Sequence, residues 1–298
     1  MGIPLKTTGP LSRSLREVYH KTANGGPEES AIMLAAMDPV LVQIGPVIIR
    51  WYGAMMALAI LLGLWLSGRM APRFGIPSEV VDRHGIPFIL WLFVGARLGY
   101  VVSHPAPFLA NPLEIVRIDH GGLASHGAIV AGLVYAWWLQ RREGISLWSF
   151  TDLCSVWIPL ANLLVRFGNF MNGELYGDRT SLPWGVVFPT APDGPRHPLQ
   201  LYEMLTSAVL FGLVLHWTDR RRYPGQVFWK TMVFLSGVRF LLDLLRSHDR
   251  VIGFLTLGQL AALVLLAFGV YVLISHRVPA GSGGTPEGET PTARGREG

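Results

Sequence analysis

Seven apolar segments, most of them long enough to cross a lipid bilayer, constrain the fold of this 298-residue chain more than any other feature. A membrane-spanning helix needs roughly 20 mainly apolar residues. The candidate spans are about 47–66, 85–103, 123–140, 150–165, 198–217, 225–245 and 257–275. The fourth is short and is interrupted by Pro159. The sequence therefore predicts an all-α polytopic membrane protein with about seven transmembrane helices.

Two polar segments flank this membrane region. Residues 1–37 carry mixed charge, and their only apolar stretch, 31–37, is too short for the hydrophobic part of a secretory signal. Residues 279–298 are rich in Gly, Pro and Thr. Segments of such composition bury too little apolar surface to fold. We expect a transmembrane domain over residues 38–278 between a disordered N-terminal extension and a disordered C-terminal tail.

The composition fits a membrane protein and argues against other classes. Only 15% of the residues are charged, whereas soluble domains carry about a quarter. The arginines lie at the ends of the apolar segments and not on one polar face, so a nucleic-acid partner is not expected. Cys154 is the only cysteine, which excludes a disulfide or a multi-cysteine metal site within the chain.

Arginines are distributed unevenly between alternate connections, and cytoplasmic loops usually carry the excess. One set consists of Arg69, Arg73, Arg83, Arg141, Arg142, Arg220, Arg221, Arg222 and Arg277. The other set is smaller and consists of Arg117, Arg166, Arg179, Arg196, Arg246 and Arg250. The bias predicts an N-terminus outside and a C-terminus in the cytoplasm. It also predicts that the motifs described next face outwards.

Segment 166–174 reads Arg-Phe-Gly-Asn-Phe-Met-Asn-Gly-Glu and concentrates polar groups at the end of an apolar segment. Ionisable groups at the edge of a bilayer are costly to desolvate, so they usually have a ligand or a partner. Arginine offers a planar fork of donors that suits phosphate, and glycines let backbone N–H groups approach an anion closely. We interpret this segment as a site for a lipid phosphate.

A second motif, His120-Gly-Gly-Leu-Ala-Ser-His126-Gly-Ala, opens the third apolar segment. The spacing of the two histidines fits no common zinc site. His126 can be interpreted as an ordinary histidine at the start of a helix. Because imidazole titrates near neutrality, it can equally take a proton from a thiol. Both interpretations stay open from the residues alone.

The third motif, Pro-Arg-His-Pro-Leu-Gln-Leu-Tyr-Glu at 195–203, opens the fifth apolar segment. Proline at a helix entry is structurally ordinary. His197 and the arginine before it can be interfacial anchors. Glu203 lies inside the apolar segment, where a carboxylate normally pairs, and the arginines of the other motifs are the expected partners.

The fourth motif contains Arg239, Asp243 and Arg246. Spacings of four and three residues predict that these side chains share one face of a helix. They form either a self-contained ladder of charges or part of a functional site.

Five further positions have structural interpretations. Arg97 is either a structural member of an ion pair or part of a cavity, and we favour the structural interpretation. Asp152 and Cys154 are expected to be buried and neutral. Gly95 and Gly99 are expected to permit close helix packing.

The ordered set of motifs resembles that of the bacterial prolipoprotein diacylglyceryl transferases over residues 38–274. The family's R-x-G-N-F-x-N-G-E matches 166–174, and its R-H-P-x-Q-L-Y-E matches 196–203. Its H-G-G matches 126–128 except that Ala128 replaces a glycine, and His120 stands where the family has aspartate. The segment 50–53 resembles the family's H-W-Y-G, with arginine in place of histidine.

The resemblance implies a multi-pass enzyme of the bacterial inner membrane with its active site at the periplasmic or outer face. It would transfer the diacylglyceryl group of phosphatidylglycerol to the lipobox cysteine of prolipoproteins, forming a thioether. The implied partners are phosphatidylglycerol, prolipoprotein signal peptides and membrane lipids, and neither a metal nor an organic cofactor is implied. The implied catalytic residues are His126, Arg166 and Arg239. The implied substrate-binding residues are Tyr52, Arg166, Asn169, Asn172, Glu174, His197, Glu203 and Arg246.

Three other functions stay open. A transporter should show internal repeats with matching broken helices, and none is evident. An intramembrane protease would need Asp152 and Asp243 to pair, but neither aspartate lies in a protease motif. The third alternative is a catalytically inactive, lipid-binding relative, because His120, Ala128 and Val165 depart from the family pattern.

Overall fold

The computed structural model describes residues 38–117, 121–246, 250–252 and 255–276. His120 and the two terminal segments predicted to be disordered lie outside these ranges. Within them, helices dominate, and seven of the eight α-helices have 18 residues or more. In chain order they are α1 Trp51–Met70, α2 Ser78–Ser103, α3 Pro105–Ala110, α4 Ser125–Glu143, α5 Leu147–Met171, α6 Leu199–Asp219, α7 Gln226–Asp243 and α8 Leu257–Ser275.

Five of these helices are long and apolar enough to cross a membrane, namely α1 with the 3-10 turn that follows it, α2, α5, α6 and α8. Helix α4 ends in three consecutive charged residues at 141–143, and α7 contains Lys230, Arg239 and Asp243. Such charges lower the hydropathy of a helix. The described residues therefore form a mainly helical, polytopic membrane protein with five clear candidate spans.

Two predicted limits are wrong. The first apolar segment was expected to be helical from about residue 47, but 47–50 forms a strand and α1 begins at Trp51. The fourth was expected to be short and interrupted, but α5 runs through Pro159 for 25 residues. Proline is tolerated in a membrane helix when neighbouring helices satisfy the freed backbone groups, and Pro159 is buried among such neighbours.

Three small antiparallel hairpins make the all-α prediction incomplete. They lie before α1, between α5 and α6, and between α7 and α8, which leaves the helices as the main scaffold. Their strands are β1 Val40–Ile44 with β2 Val47–Arg50, β3 Val186–Phe188 with β4 Ala191–Arg196, and β5 Arg250–Ile252 with β6 Leu255–Thr256.

Glycines allow the helices to approach closely, as expected for packing in lipid. A Cβ atom at Gly99 of α2 would lie 2.6 Å from the Cα of Gly127 in α4. A Cβ at Gly95 would lie 2.8 Å from the carbonyl oxygen of Gly127. The predicted packing role of Gly95 and Gly99 is thereby confirmed, and it fixes α4 against α2 just after His126.

The long helices alternate in direction, so the four sequence motifs meet at one end of the bundle. We call this the motif end, and it contains the first turns of α1, α4, α6 and α8 and the last turns of α2, α5 and α7. The opposite end, here the basic end, contains the turns around residues 71–76, 144–146 and 220–225. A salt bridge of 2.6 Å between Arg73 Nη1 and Asp219 Oδ1 joins two of its elements.

The largest apolar core cluster lies toward the basic end, so that end is the more tightly packed of the two. It brings together residues from α1, α4, α5, α6 and α7. Its buried members are Met70, Ala71, Phe74, Ile76, Leu139, Ile145, Leu153, Val156, Leu210, Val214 and Val227.

Asp152 is fully buried beside this core. Its Oδ2 accepts hydrogen bonds from Arg221 Nε at 2.8 Å and from the backbone N–H of Gly225 at 2.7 Å. Its Oδ1 accepts from the N–H of Phe228 at 2.7 Å, and Arg221 also donates to Ser149 Oγ at 2.9 Å. Three N–H donors fit a carboxylate and not a neutral acid. The expectation that Asp152 is buried is confirmed, but the neutral interpretation does not fit these partners.

Candidate active site

Arg166, near the end of α5, contacts Glu203 of α6 through its Nε and the glutamate Oε2. The side chains are only 20% and 12% exposed, so the prediction that Glu203 pairs with an arginine is confirmed. The two atoms are close, yet among the described residues no acceptor lies where the Nε–H points. Arg166 Nη1 donates to Asn169 Oδ1 at 3.3 Å. The carboxylate of Glu203 thus neutralises the charge of the guanidinium, but the Nε–H donor of Arg166 is not used in a hydrogen bond among the described residues.

The segment that follows folds back on itself around one carboxylate. Oε1 of Glu174 accepts from Asn169 Nδ2 at 2.9 Å and from Asn172 Nδ2 at 3.2 Å. The chain reverses through left-handed conformations at Gly173, with φ of 65°, and at Leu175, also with φ of 65°. Glycine adopts this region without strain. The local fold therefore brings Asn169, Asn172 and Glu174 together beside Arg166.

Tyr52, in the first turn of α1, packs directly on this segment. A Cβ atom at Gly168 would lie 2.8 Å from the Cα of Tyr52, so the close approach requires glycine. The rings of Trp51 and Phe167 meet edge to face with centroids 5.4 Å apart. These contacts place Tyr52 at the same site as Arg166, as its predicted role in substrate binding requires.

Arg239 of α7 pairs with a carboxylate of its own helix. Its Nη2 lies 3.1 Å from Asp243 Oδ1, four residues further along. The Asp243 side chain is 3% exposed, and a Cβ at Gly258 of α8 would lie 2.9 Å from its Oδ2. Arg239 itself is 46% exposed. The aspartate is therefore fixed by packing, while the guanidinium that it holds faces accessible space.

Arg246 does not share the helical face predicted for it, because α7 ends at Asp243. Its Nη2 instead donates to the carbonyl oxygen of Leu175 at 2.9 Å. Burial is the main cause that lowers the pKa of Arg246 from its ordinary value, and the charge of Glu203 opposes this effect. Arg246 thus lies within electrostatic range of Glu203 at the outer side of the cluster.

A cavity of about 240 Å³ lies between α5, α6 and α7. Both Arg166 and Arg239 line it, together with Glu203. Its remaining wall is mostly apolar and consists of Ile158, Asn162, Thr206, Ser207, Phe234, Leu235, Val238 and Leu242. A cavity with cationic groups and an apolar wall suits an amphipathic anion, because the charged group and the hydrocarbon each meet a matching surface.

His126 lies apart from this cavity, on the exposed first turn of α4. Its Nε2 is 3.0 Å from Ser103 Oγ, and the serine hydroxyl donates to the carbonyl oxygen of Gly99 at 2.8 Å. Since the hydroxyl proton of Ser103 is directed at the carbonyl of Gly99, the hydroxyl oxygen of Ser103 accepts a hydrogen bond from Nε2–H of His126. This leaves Nδ1 of His126 as the basic nitrogen. Within the described ranges, none of its hydrogen bonds reaches Arg166 or Arg239.

His197 is held in the connection before α6. Its Nδ1 lies 3.3 Å from Tyr202 Oη, which also accepts from Trp184 Nε1 at 2.8 Å. Its backbone N–H donates to the carbonyl of Asp178 at 3.0 Å, and its carbonyl accepts from Gly177 at 2.9 Å. These contacts attach His197 to the segment that follows Glu174, on the same side as the arginine cluster.

The interpretation of Arg97 as a structural residue is confirmed. This 5% exposed side chain donates to five backbone carbonyls in the connection before α4, those of Glu114, Ile115, Arg117, Gly121 and Gly122. Within the described ranges its hydrogen-bond acceptors are carbonyl dipoles, and the predicted ion pair stays a prediction. Arg97 thereby shapes the loop that leads into His126.

The sequence interpretation missed Gln200, which is 1% exposed. Its Nε2 donates to the carbonyl oxygen of Glu174, so it joins the start of α6 to the end of the 166–174 segment. The available signal is its position in the motif 196–203, three residues before Glu203 in the same helix.

A polytopic helical bundle with an arginine-lined cavity at one end defines the class as an integral membrane protein. A family model described as prolipoprotein diacylglyceryl transferase matches residues 39–275. The chain therefore belongs to the prolipoprotein diacylglyceryl transferase family, which confirms the resemblance found in the motifs.

Several relatives bear the name phosphatidylglycerol–prolipoprotein diacylglyceryl transferase. The protein of Solidesulfovibrio magneticus is 40% identical over 81% of this chain and 95% of its own length. That of Nitratidesulfovibrio vulgaris is 37% identical over 84% of this chain and 97% of its own. That of Vibrio parahaemolyticus is 34% identical over 80% of this chain and 90% of its own. The similarity thus extends over nearly the whole of each relative.

Proposed function

We propose that this protein transfers the diacylglyceryl group of phosphatidylglycerol to the lipobox cysteine of prolipoproteins. The names of the relatives support this activity. The observation that carries it is the shared cavity, which brings Arg166 and Arg239 together from two separate motifs. Phosphatidylglycerol is an amphipathic anion whose phosphate suits two guanidinium groups and whose chains suit an apolar wall.

In the proposed reaction, the cysteine thiolate attacks the carbon of the diacylglyceryl group that bears the phosphate. A carbon–sulfur bond forms, the carbon–oxygen bond breaks, and glycerol phosphate leaves with both electrons of that bond. Arg166 and Arg239 stabilise the negative charge that grows on the departing phosphate. No metal or organic cofactor enters this scheme.

The remaining residues position the two substrates. Asn169, Asn172 and Glu174 form one hydrogen-bonded unit beside Arg166, and we assign them to the glycerol headgroup. Tyr52 closes this side of the site and contacts lipid. His197 and Arg246 complete the substrate-binding set on the outer side, and Glu203 belongs to the set as the carboxylate that faces Arg166 at the cavity.

His126 takes the thiol proton in this scheme, through its Nδ1. Its hydrogen bond to Ser103 leaves that nitrogen basic. Because the contacts of His126 are to α2 and not to the cavity, we place the peptide between the first turn of α4 and the cavity. The lipobox cysteine then reaches the lipid from that side.

We further propose seven spans, with α4 and α7 crossing the membrane beside the five clear candidates, in the bacterial inner membrane. The N-terminus lies outside and the C-terminus in the cytoplasm, so the motif end faces the periplasm or cell exterior. The excess of arginine at the basic end supports this orientation. Reporter fusions after Arg142 and Arg222 should be cytoplasmic, and a fusion at Asp193 external. The reverse pattern would contradict the orientation.

A transfer assay tests the function directly. The purified protein should move labelled diacylglyceryl from phosphatidylglycerol to a synthetic lipobox peptide, and a peptide with serine in place of the cysteine should stay unlabelled. Expression should also rescue a strain depleted of its own transferase. Binding of the lipid without transfer would identify an inactive relative, and movement of a solute without transfer would identify a transporter.

A further inference from the structure

The carboxylate of Glu203 lies where an anionic substrate of Arg166 would bind. We propose that Glu203 is an internal placeholder, which neutralises Arg166 in the absence of lipid and is displaced from it by the phosphate of phosphatidylglycerol. This inference rests on the proposed function, because it concerns how the same site admits its substrate.

The first support is the geometry of the pair. Arg166 and Glu203 come from different helices and are close enough for strong attraction. Even so, the Nε–H of Arg166 is not directed at an acceptor among the described residues. A phosphate can accept two parallel hydrogen bonds from one guanidinium. Replacement of the carboxylate by a phosphate therefore keeps the charge balance and gains hydrogen bonds.

The second support is the contrast with the other arginine of the cavity. Asp243 is bound to its own helix, is almost fully buried and is confined by Gly258. It cannot leave Arg239 without disturbing the start of α8. Glu203 has a longer side chain, and it lies at the cavity wall itself. Of the two carboxylates, only Glu203 is placed to exchange with a ligand.

The third support is a second cation within reach of the same carboxylate. Arg246 lies within electrostatic range of Glu203 and of Arg166. A carboxylate displaced from Arg166 therefore stays in a positive environment and is not left as an isolated charge in an apolar region, which would be costly. The carboxylate moves outwards in this exchange, while the phosphate takes the inner position.

A placeholder multiplies the apparent affinity for lipid by the fraction of molecules in which the site is open. If Glu203 occupies the site for about nine tenths of the time, its removal should strengthen binding about tenfold. The substitution Glu203→Gln keeps the shape and removes the competing charge. The matched control is Asp243→Asn, which removes one negative charge from the same group of residues but from a fixed position.

The experiment measures equilibrium binding of radiolabelled dioctanoyl-phosphatidylglycerol to the full-length protein in dodecyl maltoside. We expect Glu203→Gln to lower Kd about tenfold and Asp243→Asn to change it by less than about twofold. An unchanged or higher Kd in Glu203→Gln would overturn the proposal. An equal gain in both variants would also overturn it, because it would show a general effect of charge.

Two further arms separate folding and function from the placeholder role. Glu203→Asp keeps the charge but shortens the side chain, so Kd should fall between wild type and Glu203→Gln; weaker binding would count against displacement. Dioctanoylglycerol, which lacks the phosphate, should bind equally to wild type and to both Glu203 variants.

If Arg166→Lys weakens lipid binding while Glu203→Gln does not strengthen it, the proposed function stands and the placeholder fails. If wild type does not prefer the phospholipid to dioctanoylglycerol, the proposed function itself fails.

Discussion

Helix α5 carries one member of a largely buried arginine–carboxylate pair at each end, and the two pairs differ in how completely they are hydrogen bonded. At the basic end, Asp152 accepts from Arg221 and from two backbone N–H groups. At the motif end, Arg166 is close to Glu203, but its Nε–H lacks a directed acceptor among the described residues.

We interpret the pair at the basic end as a structural pair and, under the proposed function, the pair at the motif end as a binding pair. A fully hydrogen-bonded buried pair holds elements together, and loss of one member leaves an uncompensated charge. Asp152 also connects α5 to the first turn of α7 through the N–H groups of Gly225 and Phe228. A buried polar group with unused capacity requires another explanation, and a ligand is one. Under the proposed function, the same helix is fixed at one end and binds substrate at the other.

The largest expected effect is on the transfer rate and concerns His126, the proposed general base at the motif end. His126→Asn should lower the transfer rate by about 10² to 10⁴, the usual loss when a general base is removed. The rate should recover in part as the pH rises from 7 to 10, because the acceptor thiol then ionises unaided. Wild-type rates at every pH would exclude the base role.

The second prediction concerns the structural pair. Asp152→Ala should lower the free energy of unfolding by about 3–5 kcal/mol, because it leaves Arg221 buried without its carboxylate. Denaturation in mixed micelles would measure this change. Ser149→Ala is the matched control, since it removes only a hydrogen bond to the same arginine and should cost about 1 kcal/mol. Equal losses in the two variants would contradict a structural role specific to Asp152.

The smallest expected effect concerns a third, exposed cluster. Hydrogen bonds from Arg179 and then Arg196 hold the pKa of Asp193 below its ordinary value. A lowered pKa means that the cluster stabilises the β3–β4 hairpin at neutral pH and loses this effect as the pH falls through the lowered value. The protection factors of the hairpin amides, corrected for the intrinsic exchange rate at each pH, should therefore fall modestly in acid. Asp193→Asn should remove this dependence, and an unchanged acid response in that variant would contradict the assignment.

Much of the helical scaffold follows from apolar length, because a membrane helix must be long and apolar. The predicted segments 198–217 and 257–275 lie within two residues of α6 and coincide with α8. The prediction failed at 47–50, where Val and Ile are as apolar in a strand as in a helix. It failed again at Pro159, because α5 packs tightly enough to continue through a proline.

The candidate site could be predicted where a charged residue lies in an apolar helix, because the free-energy cost of desolvating the charge requires a partner of opposite charge. Glu203 in an apolar helix required a cation, and Arg166 is that cation. The partners of Asp152 could not be predicted, since its donors lie about 70 residues further along the chain and two of them are backbone groups. The direction of Arg246 depended on where α7 ends, which the spacing of charges does not determine.

The most direct test of the central claim compares the same conservative change at the two ends of α5. Arg166→Lys and Arg221→Lys each keep the positive charge and remove the planar fork of donors. Thermal unfolding and transfer per folded molecule would be measured for both. We expect Arg166→Lys to lower transfer at least about tenfold, equivalent to about 1.4 kcal/mol, with little change in Tm. We expect Arg221→Lys to lower Tm while transfer per folded molecule stays near that of wild type. Normal transfer in Arg166→Lys, or a loss of transfer in Arg221→Lys at unchanged Tm, would contradict the division of α5 into a structural end and a binding end.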